Sequence, residues 1–357
     1  MKHPLPLIDG AFFASASFLE TYMRCPLEAY NYKVLGRISA KARNALVFGN
    51  HKHSELEMHY RLQEFNLPQS EVSARISTML ADEFARKPVE SDDFRQLNWA
   101  LELYHQYLKV HEFDALKPMH YKEPQLCKQC KGKPLASIEC PWCNGTGQMS
   151  IMVEVPFALP LFEYRSTQNT NLAPIPVFYH GFIDLPCTQD NMNFVLDFKT
   201  TSMLGQGFWD DKRASAQQVG YCWAFSQLTN IKLHGFLVRA IRTTQMPPGV
   251  ASGKANKKGE VKSIENWWAE GFPEERFYLG DDELAEWHNN TIELVIQFMW
   301  HYERGFFPQH KPTGCVTKYG KCQYYDVCTT FPANERPSLL SSGLFMDKQP
   351  SFEQERL

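Results

Sequence analysis

Four of the ten cysteines in this chain fall into two knuckles, and that spacing restricts the fold more than any other feature. Cys127-x2-Cys130 and Cys140-x2-Cys143 are separated by nine residues. Each knuckle lets backbone amides wrap a thiolate pair, and two knuckles supply a tetrahedral S₄ site for Zn²⁺. Gly132, Gly145 and Gly147 follow the knuckles and suit tight turns. The apolar run Ala11–Leu19 sits behind Asp9 without a basic leader, so no signal peptide is expected and the cysteines point to metal rather than disulfides. Residues 121–149 therefore read as a zinc-ribbon-like insertion, too short to build a core without its metal. Lys128, Lys131 and Lys133 beside an exposed Trp142 would give it a basic, aromatic face suited to single-stranded DNA; a protein–protein contact or a purely structural element is the alternative.

A second set, Cys315-x6-Cys322-x5-Cys328, is one thiolate short of a closed site. Cys25 is the candidate fourth ligand, because Cys187 and Cys222 lie in or beside apolar elements and read as buried small hydrophobes. Three outcomes stay open for this set: an iron–sulfur cluster, a second zinc site, or loop cysteines without metal.

With 43% hydrophobic and 13% aromatic residues, the 357-residue chain can bury a sizeable core, as two domains or as one with insertions. The 37 basic residues against 40 acidic ones exclude a polybasic binder, so any nucleic-acid contact must be local. No apolar run of about eighteen residues predicts a membrane span, and a cytoplasmic location is expected.

Helical spacing covers Asn44–Phe65, Asp92–Val110, Lys212–Leu228 and Asp282–Glu303, and Ser17–Glu20 reads as a capping box before Pro26. Strand-like runs are Ile151–Phe157, Val177–Leu185, Asn193–Thr200 and Leu233–Ile241. The turn-forming residues 188–192 predict a hairpin between the second and third of these. Strand, helix and strand over 193–241 predict a right-handed crossover and a parallel pair. The organisation expected is a helical region over 1–120, the ribbon over 121–149, an α/β core over 150–310, a cysteine segment over 311–330 and a disordered tail over 331–357.

On the strand Asn193–Thr200, Asp197 and Lys199 are two residues apart and share a face, while Phe194, Leu196 and Phe198 take the other. Asp184, on the partner strand, would bring a second carboxylate to that place. Two adjacent carboxylates repel unless a cation lies between them, which makes Mg²⁺ or Mn²⁺ the expected occupant. In Gly49-x3-His53 the glycine permits close approach and His53 can donate a nitrogen to the same metal. Gln217-x3-Tyr221 puts an amide and a phenol one helical turn apart. Lys254, Lys257, Lys258 and Lys262 form a basic arm for phosphate contacts, or a solvated loop.

Taken in order, Cys25-Pro26, Gly49-x3-His53, Gly181-Phe182-Ile183-Asp184, Asp197-Phe198-Lys199-Thr200, Gln217-x3-Tyr221 and the terminal cysteines resemble the RecB-like branch of the PD-(D/E)XK nucleases. The likeness is to its iron–sulfur members: CRISPR-associated RecB-like exonucleases, the AddB nuclease domain and stand-alone phage relatives. It implies an α/β restriction-endonuclease-like core, a central mixed sheet flanked by helices, with a metal-cluster clasp joining the two chain ends. It further implies that His53, Asp184, Asp197 and the Phe198 carbonyl ligate Mg²⁺ or Mn²⁺, that Lys199 orients the attacking water, and that Gln217 and Tyr221 support the site and touch DNA. Cys25, Cys315, Cys322 and Cys328 would hold a 4Fe–4S cluster. The terminal spacing departs from the usual C-x2-C-x5-C, and the ribbon is not a general family feature. The function implied is a metal-dependent exonuclease or single-strand nuclease acting on DNA single strands or ends, in repair, recombination or phage- or CRISPR-related processing. The alternative is a catalytically silent DNA-binding scaffold, against which stands a complete set of catalytic residue types.

Overall fold

The computed structural model describes residues 4–39, 44–127, 129–131, 140, 142–252, 263–310, 314–317 and 320–347. The chain opens with β1 (Phe12–Ser15), α1 (Ala16–Arg24) and α2 (Pro26–Lys33), then β2 (Arg37–Ser39). The cap of α1 is Ser15, whose side chain accepts from the Phe18 N–H, so the capping box expected at Ser17 lies inside the helix. Three helices follow: α3 (Asn44–Leu62), α4 (Gln69–Arg86) and α5 (Leu97–Val110). The α3 helix runs on into a 3₁₀ turn at Gln63–Phe65, closing where the spacing predicts. The α4 helix went unpredicted although it buries Val72, Ile76, Leu80 and Phe84, a plain four-residue stripe. The α5 helix starts five residues later than its pattern, because Asp93 accepts from the Arg95 backbone and side chain in a local turn.

Next come β3 (Lys117–Pro118), β4 (His120–Leu126), β5 (Gln148–Ile151), β6 (Val155–Tyr164), β7 (Ile175–Ile183), β8 (Leu185–Gln189) and β9 (Met192–Thr201). The single strand expected over Ile151–Phe157 is two, β5 and β6, parted at Glu154, which has a left-handed backbone at φ 50°. The run Val177–Leu185 also divides, at Asp184. Before it, β7 lies in a three-stranded sheet ordered β1-β7-β6. After it, β8 forms the hairpin with β9, turning through Asp190 and Asn191, both at positive φ.

The crossover is α6 (Gln206–Arg213) and α7 (Ala216–Thr229), followed by β10 (Gly235–Arg242). One helix was expected; Ser215 instead caps a second one by accepting from the Gln217 N–H. β10 pairs parallel with β9, from Gly235 opposite Phe194 to Arg242 opposite Thr201, as the strand–helix–strand order requires. The remaining elements are α8 (Pro248–Ala251), α9 (Ile264–Ala269), β11 (Glu274–Tyr278), α10 (Asp281–Arg304), β12 (Val316–Thr317), β13 (Gly320–Lys321), α11 (Tyr325–Thr330), α12 (Arg336–Leu340) and β14 (Phe345–Asp347). The second sheet runs β11-β10-β9-β8-β3. The fold is thus the mixed α/β architecture expected, sheets flanked by helices. The tail is a correction: over 331–347 it carries α12 and β14, and β14 pairs with β2 while Phe345 stacks on Tyr324.

Successive residues of β9 feed two separate cores, as a period of two demands. Val195 joins the cluster containing Phe225, Phe236 and Phe298, beneath α1, α7 and α10. Phe194, Leu196 and Phe198 join the cluster of Phe48, Tyr104 and Tyr107, beneath α3 and α5. Through this second core runs a buried polar knot. Arg239, 1% exposed, pairs with Asp114 (2.7 Å) and Glu274 (2.5 Å) and donates to Tyr60 and Tyr107. An arginine there is tolerated only because both carboxylates and both phenols meet it.

His59, beside this knot, accepts from Gln63 and meets the Tyr104 hydroxyl at 3.0 Å. Burial, and then the Arg239 charge, push its pKa down to about 4. The unfolded chain therefore binds the proton first, and the stability His59 contributes is complete above about pH 6.5 and is lost as pH falls towards 4. Urea unfolding across that window should show the wild type losing on the order of 2–3 kcal/mol more than a His59→Gln variant. Parallel pH curves for the two proteins would show that His59 is not the acid-sensitive group.

Candidate active site

The site forms where β7 leaves one sheet and the chain enters the other. Leu185 is opposite Leu196, so Asp184, between β7 and β8, comes beside Asp197, which lies inside β9. Asp197 is 1% exposed and buried on its own strand, whereas Lys199, two residues on, keeps about a fifth of its side chain open. The Lys199 ammonium lies 2.9 Å from Asp197 Oδ1 and donates to Gln217 Oε1 at 3.1 Å. Gln217 in turn donates from Nε2 to the Tyr221 hydroxyl at 2.9 Å. The helical pair singled out in the sequence is thus wired to the lysine by a continuous chain of polar contacts. Burial alone would lower the Lys199 ammonium, but Asp197 and Asp184 outweigh it and raise its pKa, so the group is held as a cation.

From the other side, α3 brings His53. Gly49 makes that approach possible: a Cβ there would sit 3.0 Å from Thr200 Oγ1 at the end of β9. His53 Nδ1 lies 3.4 Å from Asp184 Oδ2, which also accepts the Phe198 N–H at 3.0 Å. Burial raises the Asp184 pKa and the Asp197 charge adds to the rise, while His53 and Lys199 oppose it. A group that strains towards protonation between a histidine and a second carboxylate is what a divalent cation would relieve.

Two residues at the site were not singled out in the sequence. Ligand atoms of His53, Glu154 and Asp184 all lie within 4.8 Å of one another, so Glu154 completes a three-donor N,O,O set. Its signal was an acidic residue inside an apolar strand-like run, which the left-handed turn converts into a ligand-bearing break. The Glu154 N–H donates to the Asp184 carbonyl at 2.8 Å, tying the two together. Asp197 stands outside that trio, held by Lys199 and by Gln218, whose Nε2 donates to Asp197 Oδ2 at 3.0 Å. Gln218 is fully buried and belongs to the same helical turn as Gln217.

The knuckle cysteines come together as their spacing predicts. Cys127 and Cys140 sulfurs are 3.8 Å apart, and those of Cys130 and Cys143 are 3.6 Å apart. A tetrahedron with metal–sulfur bonds of about 2.3 Å has edges of about 3.8 Å, so the set fits one Zn²⁺-sized ion. Trp142, expected to be exposed, is half-buried, with the Arg61 guanidinium 5.6 Å from its ring centre. Lys131 is exposed; Lys128 and Lys133 lie outside the described residues, as do Lys254, Lys257, Lys258 and Lys262.

Cys25, Cys315, Cys322 and Cys328 also converge, but differently. They line one cavity with Glu28 and Tyr324. Among the described residues only the knuckles form an all-cysteine set with sulfurs within 4.8 Å of one another. Four thiols around one space suit either an iron–sulfur cluster or a zinc ion. Gly314 is needed for this closure, since a Cβ there would meet the Arg24 carbonyl at 2.5 Å. Protein purified without air should carry one zinc and an iron–sulfur absorption band, both measurable by metal analysis and spectroscopy. Two zinc ions in a colourless protein would assign the cavity to zinc instead.

Residues 14–329 match the family model described as the PD-(D/E)XK nuclease superfamily. No curated protein matches the chain.

Proposed function

The chain belongs to the PD-(D/E)XK nuclease superfamily, whose members are generally phosphodiester-hydrolysing nucleases, and from that premise we propose that it is a Mg²⁺- or Mn²⁺-dependent DNA nuclease of the RecB-like iron–sulfur kind. The observation that carries this reading is the meeting of His53, Glu154 and Asp184 beside the Asp197–Lys199 pair. His53, Glu154 and Asp184 would hold the divalent ion, with Asp197 and the Phe198 carbonyl as the ligands added by family likeness. When bound, the ion lowers the pKa of a water and neutralises charge on the scissile phosphate.

The chain's own groups do the positioning. Lys199 stays an ammonium, fixed by Asp197 on one side and Gln217 on the other, so it presents a cation at the open side of the site. There it stabilises a developing negative charge and orients the attacking water. Tyr221 keeps the Gln217 amide turned, with its carbonyl towards the lysine. An end-directed or single-strand-directed action on DNA is the finer form of this proposal.

The test is cleavage of end-labelled linear DNA and of circular single- and double-stranded DNA, each with Mg²⁺, Mn²⁺ or EDTA. Divalent-dependent loss of linear substrate supports the reading, and cleavage that survives EDTA contradicts it. Asp197→Ala should lower the rate by at least about a hundredfold while DNA retention in a filter-binding assay stays near wild type. A variant that cleaves at the wild-type rate would remove Asp197 from the catalytic set.

A further inference from the structure

One buried cation joins the sulfur ribbon to the divalent site. Arg61 is 3% exposed and stands on the α3 face that carries His53, two turns further on, with Glu57 between them. Its Nε donates to Glu57 Oε1 at 3.0 Å. Its Nη1 meets Met149 Sδ at 2.9 Å and its Nη2 donates to the Val153 carbonyl at 3.3 Å. The plane of the same group lies over Trp142, inside the second knuckle. Met149 is packed with the knuckle sulfurs. Val153 immediately precedes Glu154.

The ribbon's second strand, β5, thus runs directly into the strained residue of the site. A left-handed glutamate persists only where its surroundings fix it. Two groups do so here: the Asp184 carbonyl, which takes the Glu154 N–H, and Arg61, which holds the carbonyl one residue earlier. A further anchor, the Glu64 carboxylate, accepts the Ser150 N–H at 2.9 Å and fixes the end of β5 to the turn after α3. The ribbon also touches α4, where Arg75 donates to Asn144 at 2.9 Å.

We propose that the cysteine ribbon is a positioning device for the nuclease centre: with its metal bound it seats Arg61, and Arg61 seats the Val153–Glu154 backbone, so that losing the ribbon's metal weakens divalent-ion binding at His53, Glu154 and Asp184. The inference rests on reading those three residues as the divalent site. Arg61 is a positioning residue and touches neither ion nor substrate. A guanidinium is required because one planar fork must serve a carboxylate, a sulfur, a carbonyl and an indole face at once.

The test measures Mn²⁺ affinity on the full-length protein by electron paramagnetic resonance, with zinc content determined in parallel. Three variants break the link at different points: Arg61→Lys, Trp142→Leu and the zinc-ligand change Cys130→Ser. Each should weaken Mn²⁺ binding by about tenfold, the scale of losses when outer contacts to a metal ligand are removed. Glu154→Gln should weaken it similarly, and adding Arg61→Lys to Glu154→Gln should change it by less than about twofold. A merely structural role for Arg61 would leave those two effects independent. Wild-type Mn²⁺ affinity in Arg61→Lys and Cys130→Ser, with Asp184→Asn abolishing binding, overturns the coupling alone. Wild-type affinity in Asp184→Asn overturns the coupling together with the site on which it rests.

Discussion

Two neighbouring carboxylates, Asp184 and Asp197, impose the constraint that the rest of this molecule answers. Burial raises the pKa of Asp184, and the charge of Asp197 adds to the rise. Four polar groups around them act against it. Lys199 pairs with Asp197, Gln218 donates to its other oxygen, the Phe198 N–H donates to Asp184, and His53 approaches the same oxygen. The lysine is then fixed by Gln217, and Gln217 by Tyr221. What results is a negatively biased opening with one oriented cation, the arrangement a divalent ion and a phosphodiester both require.

Holding that arrangement demands that distant parts of the chain be tied together. At the cysteine cavity the His310 ring meets the Arg24 carbonyl at 3.1 Å, and the Leu27 N–H donates to the Pro308 carbonyl at 3.2 Å. A group bound by Cys25 and the three later cysteines would close a loop of most of the chain, which stabilises by restricting the unfolded state. The segment beyond the family match adds to this. α12 and β14 cover the cysteine segment, with Arg336 donating to the Cys328 carbonyl and Arg37 paired to Asp347. The ribbon makes the third tie, from α3 through Arg61 to the break between β5 and β6 that carries Glu154.

Much of the site was legible because it depends on short periods. Asp197 and Lys199 share a face by strand alternation, Gln217 and Tyr221 by one helical turn, and Gly49 leaves room for its helix to approach Thr200. The parallel β9–β10 pair followed from the strand–helix–strand order. What escaped was whatever tertiary contact decides. Glu154 reads as one more residue of a strand until its backbone turns left-handed, and Gln218 reads as a helix neighbour of Gln217 until its amide meets Asp197. The divided strand at Asp184 escaped for the same reason: an apolar run does not announce that it changes sheets. The tail lacks periodicity, yet Phe345 is held by a ring stacked against Tyr324.

The central claim is that a divalent ion sits among His53, Glu154 and Asp184, next to Lys199. Crystals soaked in Mn²⁺ and measured at the manganese absorption edge test it directly. The account predicts an anomalous peak within about 2.5 Å of a His53 nitrogen and of carboxylate oxygens from Glu154 and Asp184. An ordered site with no peak there, or manganese bound only elsewhere on the protein, would contradict it.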